Sequence, residues 1–213
     1  MSLEKLLQRA VIWRGGTLPA AAKSIPTGFT ELDALFPGGG WPSGALTEFL
    51  IPGEGVGALN LVMPALARLS QEKRWIAWVA PPYIPYAPAL ATAGVDLSHV
   101  LLIRPRAASD GLWAVEQTLR SGTCAAVLAW PVVGDGKILR RLQLAAEAGN
   151  SWGLLFRPER MAPQSSPAAL RLRVTREPRG VVVNILKRRG GWAAGPVCLA
   201  EDRVRDPEFG RQE

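Results

Sequence analysis

A glycine-rich turn between an apolar strand and an apolar helix constrains the fold of this chain more than any other stretch. Residues 45–51 have the composition of a buried strand, residues 52–57 contain three glycines, and residues 59–69 have the composition of a helix. This order is typical of a phosphate-binding loop, in which G-x-x-x-x-G-K-[S/T] holds phosphates on backbone N–H groups. In register, Ala58 and Leu59 replace the lysine and the hydroxyl residue. The stretch therefore predicts the strand–turn–helix geometry without the phosphate chemistry.

Apolar runs alternate with amphipathic stretches through most of the sequence. Strand-like runs cover residues 75–80, 100–103, 125–130 and 152–156, and helical stretches cover residues 87–93, 110–119 and 137–148. Uninterrupted apolar runs suit parallel strands that are covered on both faces, so the alternation predicts a doubly wound α/β sheet. Residues 170–174 and part of 181–186 instead alternate with period two around a turn, which predicts an antiparallel hairpin at the sheet edge.

Length and composition fit one large globular domain. The chain has 213 residues, of which 48% are hydrophobic and 20% charged. No apolar run approaches the roughly 20 residues of a membrane-spanning helix, and the N-terminus lacks the apolar region of a secretory signal. Cys124 and Cys198 form no metal or redox motif, which is typical of free thiols in a reducing compartment. We therefore expect a cytoplasmic protein with no membrane segment.

The sequence predicts three segments. Residues 1–26 are expected to form an N-terminal arm and tether, residues 27–200 the core domain, and residues 201–213 a charged, disordered tail. The arm combines a short amphipathic helix with a strand, and its apolar side chains could dock on another molecule or pack on their own core. The candidate anchors are Leu6, Leu7, Ile12 and Trp13.

Positive charge is concentrated in the C-terminal half. The net charge is +7, and residues 136–190 contain 12 Lys or Arg against three Glu and no Asp. Such an excess favours a DNA backbone or an acidic protein partner, but it also occurs on solvated surfaces, so direct DNA contact stays open. The candidate basic patch consists of Arg171, Arg173, Lys187, Arg188 and Arg189.

Several strings in the chain resemble the RecA ATPase core. They include Thr27-Gly28, Gly94-Val95-Asp96 and the hairpin end at residues 185–191. A longer string at residues 37–48, PGGGWPSGALTE, resembles the ImuA family of RecA-like accessory proteins. The resemblance covers roughly residues 1–192. It implies a RecA-like doubly wound, mainly parallel sheet with a C-terminal antiparallel hairpin, preceded by a short N-terminal helix–strand arm.

The same resemblance implies that the nucleotide chemistry has been lost. Ala58 and Leu59 stand in the phosphate loop, Trp130 replaces the aspartate that holds Mg²⁺, and Pro82 falls near the position of the acid that activates water. The degenerate loop as a whole comprises Pro52, Gly53, Gly55, Gly57, Ala58 and Leu59. Because electrostatic stabilisation supplies nearly all of phosphoryl-transfer catalysis, we expect no ATP hydrolysis, no bound cofactor and no metal. Weak nucleotide binding by the backbone of residues 53–58 stays open.

The implied function is that of a non-enzymatic adaptor in SOS mutagenesis, DNA repair and translesion synthesis. The implied partners are ImuB, which is an inactive relative of Y-family polymerases, RecA and, indirectly, an error-prone replicative-type polymerase. Weak DNA contact and self-association stay open. The alternative is a protein like the cell-division inhibitor SulA. SulA is similar to the RecA-related scaffold, lacks nucleotide chemistry and blocks the assembly of FtsZ. A third candidate, an ATP-dependent recombinase, is disfavoured by the four substitutions.

Overall fold

The computed structural model describes residues 24–131, 135–191 and 193–200. The strands within these ranges are β1 (Ser24–Ile25), β2 (Trp41–Pro42), β3 (Leu46–Ile51), β4 (Trp75–Val79), β5 (Val100–Ile103), β6 (Cys124–Ala129), β7 (Trp152–Pro158), β8 (Leu170–Glu177), β9 (Gly180–Arg188) and β10 (Ala194–Ala200). The helices are α1 (Thr30–Asp33), α2 (Met63–Gln71), α3 (Ala87–Thr92), α4 (Ala108–Arg120) and α5 (Gly136–Gly149). Short 3-10 turns cover Leu97–His99 and Glu159–Met161.

Eight of these strands form one sheet in the order β10-β9-β8-β3-β7-β6-β4-β5. The six strands from β8 to β5 run parallel, while β9 is antiparallel to both β8 and β10. The strands near the middle of the sheet are the apolar runs of the sequence, and every residue of β3 and β6 is buried. Uninterrupted apolar strands are expected where both faces of a sheet are covered.

Two apolar clusters cover the two faces of the sheet. On the first face, Phe49 and Leu154 of the sheet pack in one cluster with Leu66 of α2. On the second face, Leu155 packs in another cluster with Leu119 of α4 and Leu142 of α5. Neighbouring residues of β3 and β7 belong to different clusters, because successive side chains of a strand point to opposite faces of the sheet. None of the described helices is long and apolar enough to cross a membrane.

The expected RecA-like doubly wound sheet is wrong, because two of the parallel strands are joined without a helix. A doubly wound sheet requires a helical crossover between successive parallel strands. The chain between β7 and β8 instead contains the 3-10 turn Glu159–Met161 and irregular backbone. The last three strands then form an antiparallel meander at one edge. The C-terminal hairpin was predicted, and β8 and β9 form it by pairing Leu170 with Arg188 through to Glu177 with Gly180.

The N-terminal boundary differs in one detail from the predicted segments. Ser24 and Ile25 belong to the expected tether, yet they form β1 and pair with Pro42 and Trp41 in a separate two-stranded sheet. The predicted helix and strand of the arm lie outside the described residues, and so does the predicted tail at residues 201–213.

Candidate functional site

Three loops meet at the edge of the sheet where β3, β4 and β6 end. They follow Ile51, Val79 and Ala129, and β8 carries Arg176 to the same edge because it runs parallel to β3. Crevices at the carboxyl ends of parallel strands are the usual ligand-binding positions of open α/β sheets. This edge is therefore the first place to search for a functional site.

The loops enclose a cavity of about 500 Å³. Sites for small molecules and side chains commonly measure about 300–1,000 Å³. The cavity brings together six of the eight positions that the sequence analysis assigned to a former nucleotide site, and they come from all three loops. These are Gly55, Gly57, Ala58, Leu59, Pro82 and Trp130; the lining does not include Pro52 and Gly53. The roles assigned to these residues in a former nucleotide site stay predictions.

Aromatic rings form the deeper wall of the cavity. The ring centroid of Trp130 lies 5.0 Å from Phe156 and 5.8 Å from Trp78, and both pairs are stacked. The series continues through the core from Phe156 to Phe49 at 4.9 Å and from Phe49 to Trp41 at 5.7 Å. Stacked aromatic pairs stabilise by about 0.5–1.5 kcal/mol beyond the burial of their area. Trp130 therefore fills space at the strand end as part of the packed interior.

The glycine-rich loop forms a second wall, and its backbone conformation requires glycine. Gly55 and Gly57 have φ angles of 76° and 89°, which lie in the left-handed region. A Cβ on Gly57 would lie 2.7 Å from Cγ2 of Val181, whereas a Cβ on Gly55 would meet no atom within 4 Å. Gly57 is thus needed both for its φ angle and for close contact with the meander.

The mouth of the cavity carries an apolar surface that the sequence analysis did not identify. Tyr83, Ile84 and Tyr86 line the cavity and are largely exposed, Tyr83 by 74%. Pro82 and Pro85 lie in the same loop, and proline restricts φ, so little conformational freedom remains to be lost when a partner binds. The string PPYIPY marks this loop in the sequence, but the exposure of its tyrosines is known only from the structure. We call residues 81–86 the aromatic loop.

The chemistry of the cavity is that of an apolar binding site. Apart from the two tyrosines, its only titratable lining residues among those described are Glu54 and Arg176. The described residues also contain no group of three or more His, Cys, Asp or Glu side chains that could hold a metal ion. An apolar or aromatic group from a partner fits such a lining better than a phosphate or a metal does.

A buried ionic cluster lies on the second face of the sheet, and none of its residues lines the cavity. Arg157 Nη1 donates to Glu48 Oε1 over 2.9 Å, and Arg171 Nε donates to Glu48 Oε2 over 2.8 Å. Ser166 Oγ donates to the same Oε1 over 2.7 Å. Arg171 also donates to the backbone oxygens of Met161 and Ala162. The cluster joins β3, β7 and β8 to the chain segment between β7 and β8, which contains Met161, Ala162 and Ser166.

The structure places the predicted basic patch largely within intramolecular contacts. Arg171 is buried beside Glu48, and Arg173 forms an ion pair with Glu159 at 3.0 Å. The remaining three residues contact other parts of the chain: Lys187 Nζ donates to Ser166 O, Arg188 to Leu35 O, and Arg189 pairs with Glu147 at 3.1 Å. A role in DNA contact stays a prediction, but Arg171 could not contribute without leaving the interior.

Four titratable groups of the described residues, all outside the cavity, have shifted pKa values. Burial alone would raise the pKa of Glu147, but hydrogen bonds from Gln143 and Arg189 lower it overall. Burial, with a contribution from the Arg171 guanidinium, lowers the pKa of Lys187. Burial raises the pKa of the Cys124 thiol. Hydrogen bonds from the Ser98 side chain and backbone, followed by one from His99, hold the pKa of Asp96 below its usual value. Each shift follows from packing, from a local turn or from side-chain hydrogen bonds, and none of these residues lines the cavity.

The predicted anchors of the N-terminal arm are not part of this site. Leu6, Leu7, Ile12 and Trp13 lie outside the described residues. Docking of the arm on another molecule, with these four side chains as anchors, therefore stays a prediction.

Comparisons with known proteins identify a family different from the one expected. Residues 44–153 match the family model described as "Cell division inhibitor SulA". A protein of that name from Edwardsiella piscicida is 35% identical over 116 residues, which cover 52% of this chain and 68% of the relative. The SulA of Photorhabdus laumondii is 31% identical over 112 residues, or 53% of this chain and 63% of the relative. The crystal structure of SulA from Pseudomonas aeruginosa has 27% identity and a TM-score of 0.44, and the match covers 53% of this chain and 97% of that one.

These matches overturn the ImuA resemblance and what it implied. The prediction of a RecA-like core with a degenerate P-loop is wrong. The predicted roles in DNA repair and translesion synthesis are also wrong, and so are the predicted partners ImuB, RecA and an error-prone polymerase. The short glycine-containing strings that carried the resemblance were too local to separate two families with a similar succession of strands and helices. The family model covers more than half of the sequence, from Gly44 to Gly153. The chain belongs to the SulA family.

Proposed function

We propose that this protein inhibits cell division by binding FtsZ and blocking its assembly. The observation that carries the proposal is the match of residues 44–153 to the SulA family model, supported by relatives that are named cell division inhibitors. FtsZ is the target that the SulA alternative already implied from the sequence. The proposal includes the cytoplasmic location expected for such a target.

The proposed mechanism is contact between proteins, without catalysis. The lining of the cavity is mostly apolar, and its titratable residues are Glu54, Arg176, Tyr83 and Tyr86. General acid–base or nucleophilic chemistry requires such groups within hydrogen-bond reach of each other and of a substrate. An apolar surface suits an inhibitor that acts by occupying part of its partner.

The aromatic loop is the surface that we assign to FtsZ. It lies inside the matched region, and Tyr83, Ile84 and Tyr86 are among the most exposed large apolar side chains of the described residues. Tyrosine is enriched at the positions that contribute most to binding energy, and exposed apolar patches beside a pocket mark interaction sites. The adjoining cavity can accept a side chain of the partner.

The experiment measures assembly of purified FtsZ by sedimentation and light scattering. We expect the parent protein to suppress assembly at near-stoichiometric concentration. The double variant Tyr83→Ser with Tyr86→Ser should raise the half-inhibitory concentration at least about tenfold, because losses of 2 kcal/mol or more are typical of central aromatic anchors. Leu144→Ser is the matched control, since Leu144 is a half-exposed apolar residue on α5, on the opposite face.

Two outcomes contradict different parts of the proposal. A parent protein that neither binds FtsZ nor slows its assembly would overturn the proposed function. Equal inhibition by the parent and by the double tyrosine variant would overturn the assignment of the aromatic loop and leave the function intact. A melting curve for each variant separates loss of binding from loss of folding.

A further inference from the structure

The cavity lies where two neighbouring strands of the sheet send the chain in opposite directions. Strands β4 and β6 are adjacent, and the chain continues from β4 to β5 on one side and from β6 to β7 on the other. The connecting helices also lie on opposite faces, because Leu90 of α3 packs in the first cluster and Leu142 of α5 in the second. Loops that diverge in this way open a crevice, and open α/β sheets bind small ligands at such points.

The walls of the cavity are held by well-packed parts of the fold. Trp78 of β4 and Phe156 of β7 are only 4% and 3% exposed, and Trp130 is stacked on both of them. Gly57 of the second wall lies so close to the meander that an added Cβ would be 2.7 Å from Cγ2 of Val181. Walls that are already ordered need not lose freedom when a ligand binds, so the cavity is a preformed site.

The volume of the cavity is larger than a single aromatic ring requires. An apolar cavity of about 150 Å³ already holds one benzene molecule. The cavity of this protein measures about 500 Å³, which is in the range of sites that enclose a whole small molecule. One partner side chain would leave part of the apolar wall without contacts, and unfilled apolar space forfeits dispersion attraction. A molecule with two or three fused rings fits the volume better.

The side chains of the lining indicate the chemical class of that molecule. Five lining residues are aromatic: Trp78, Tyr83, Tyr86, Trp130 and Phe156. Aromatic rings attract other rings in offset-stacked or edge-to-face arrangements. A flat aromatic ligand can contact several of these rings at once, whereas a branched aliphatic ligand gains no such geometry. The lining therefore favours a planar aromatic molecule.

The polar groups of the lining favour a ligand without net charge. Glu54 and Arg176 have side chains of opposite charge, and the other polar side chains are those of Asn60, Tyr83 and Tyr86. Burying an ion is costly unless an opposite charge pairs with it, and here the two charges of the lining balance each other. A few polar contacts are enough to orient a neutral molecule in an apolar site.

We propose that the cavity binds a small, planar, uncharged aromatic molecule, and that this molecule prevents the aromatic loop from binding FtsZ. Tyr83 and Tyr86 line the cavity and also carry the surface assigned to FtsZ, so the two ligands compete for the same side chains. By linkage, each ligand weakens the binding of the other by the same factor. The regulation rests on the proposed function, whereas binding of the small molecule does not.

The first test uses prodan, a neutral naphthalene dye whose emission moves to shorter wavelength in apolar surroundings. We expect saturable binding of one dye per chain. Asn60→Trp adds a large ring to the lining and should weaken binding at least about tenfold, because overpacking a filled site is unfavourable. Gln117→Trp is the matched control, since it adds the same ring at an exposed position of α4 and should leave binding unchanged. A melting curve for each variant separates loss of the site from loss of folding.

The second test locates the dye on the parent protein by the indole N–H resonances in an NMR titration. Single Trp→Phe variants assign the resonances. The Trp130 resonance should shift as dye is added, while that of Trp113, which is 64% exposed on α4, should not. Absence of saturable binding, a folded Asn60→Trp variant that binds like the parent, or shifts at Trp113 instead of Trp130 would overturn the proposal.

The third test measures the affinity of the full chain for FtsZ with and without the dye. At ten times its Kd, the dye should raise the apparent Kd for FtsZ about tenfold, as simple competition requires. An unchanged affinity for FtsZ while the dye occupies the cavity would overturn the regulation and leave the small-molecule site intact. A parent protein that does not bind FtsZ at all would overturn the proposed function together with the regulation, and the first two tests would still decide whether the cavity is a ligand site.

Discussion

Glu48 and Arg157 form an ion pair in the interior of the sheet, with Arg157 Nη1 2.9 Å from Glu48 Oε1 and neither side chain exposed. They lie on the neighbouring strands β3 and β7, on the same face. Removing a charge from water is costly, and it is tolerated only when other groups complete the hydrogen bonding. Arg171 and Ser166 do so for the Glu48 carboxylate.

The first prediction concerns this pair. We expect Glu48→Ala to lower the free energy of unfolding by about 3–5 kcal/mol, because it leaves two arginines without their carboxylate in the interior. Glu72→Ala removes the carboxylate of the exposed pair with Arg68 and should cost no more than about 0.5 kcal/mol. Urea unfolding monitored by circular dichroism measures both. Similar losses for the two variants would contradict the importance of the buried cluster.

The second prediction compares two glycines of the same loop. Gly55→Ala should cost about 1–2 kcal/mol, since alanine is strained in the left-handed region. Gly57→Ala should cost that amount and about 1–3 kcal/mol more, because its Cβ would overlap Cγ2 of Val181 at 2.7 Å. The difference between their unfolding free energies isolates the close contact. If the two variants proved equally stable, contact between the loop and the meander would not be tight.

A third prediction concerns the hydrogen bond of a buried tryptophan. Trp152 Nε1 donates to Thr47 Oγ1 over 3.0 Å, and both residues are fully buried. Thr47→Val keeps the shape but leaves the indole N–H without this acceptor, which should cost about 1–3 kcal/mol. Thr92→Val is the control, because Thr92 forms an exposed bond to Pro88 O, and it should stay within about 0.5 kcal/mol. Thermal denaturation distinguishes the two, and a Thr47→Val variant as stable as the parent would count against the prediction.

The fourth prediction concerns the two thiols. Cys198 is exposed, whereas Cys124 is buried and its pKa is raised by burial. Because the thiolate is the reactive form, Cys124 has less of it at any given pH than an ordinary thiol, and access is restricted as well. Ellman's reagent at pH 8 should therefore label one thiol in the native protein and two after unfolding. Cys198→Ser should abolish native labelling, and rapid labelling of that variant would show that Cys124 is accessible.

The positions of most strands and helices could be predicted because apolar periodicity directly reflects burial. The run at residues 125–130 became β6, and the helix expected at residues 110–119 became α4, Ala108–Arg120. Boundaries beside special backbone conformations were harder to predict. Helix α2 begins at Met63, not at Leu59, because the backbone after Gly57 forms turns in which Val62 donates to Leu59 O.

Features that depend on distant parts of the chain could not be read from local patterns. The alternation of Arg171 with Leu170 and Leu172 predicted a strand with an exposed basic face. Nothing in that pattern shows that β8 pairs with β3, where Glu48 meets the arginine in the interior. Strand β10 was missed because Gly195 and Pro196 interrupt its apolar pattern, although pairing with β9 supplies hydrogen bonds. The third strand of the antiparallel meander was therefore not predicted.

In the candidate site, too, individual residues could be predicted from the sequence, whereas their arrangement in space could not. The sequence identified Ala58, Pro82 and Trp130 separately, and the sheet brings them to one cavity because parallel strands end at one edge. Their interpretation depended on a family resemblance carried by short strings, and the comparison over residues 44–153 replaced it. The exposed tyrosines of the aromatic loop were passed over, because solvent exposure cannot be inferred from a local string of prolines and tyrosines alone.

The series of aromatic rings that begins at Trp130 and ends at Trp152 includes an indole at the cavity that can report on binding. Successive centroids from Trp130 through Phe156, Phe49 and Trp41 to Trp152 are separated by 4.9–5.7 Å. The indole of Trp130 is also stacked on that of Trp78, with 5.8 Å between ring centroids, so two indoles share this wall of the cavity. A partner side chain that enters beside Trp130 would change the surroundings of this indole and therefore its emission. Binding at this edge can therefore be followed in the unlabelled protein.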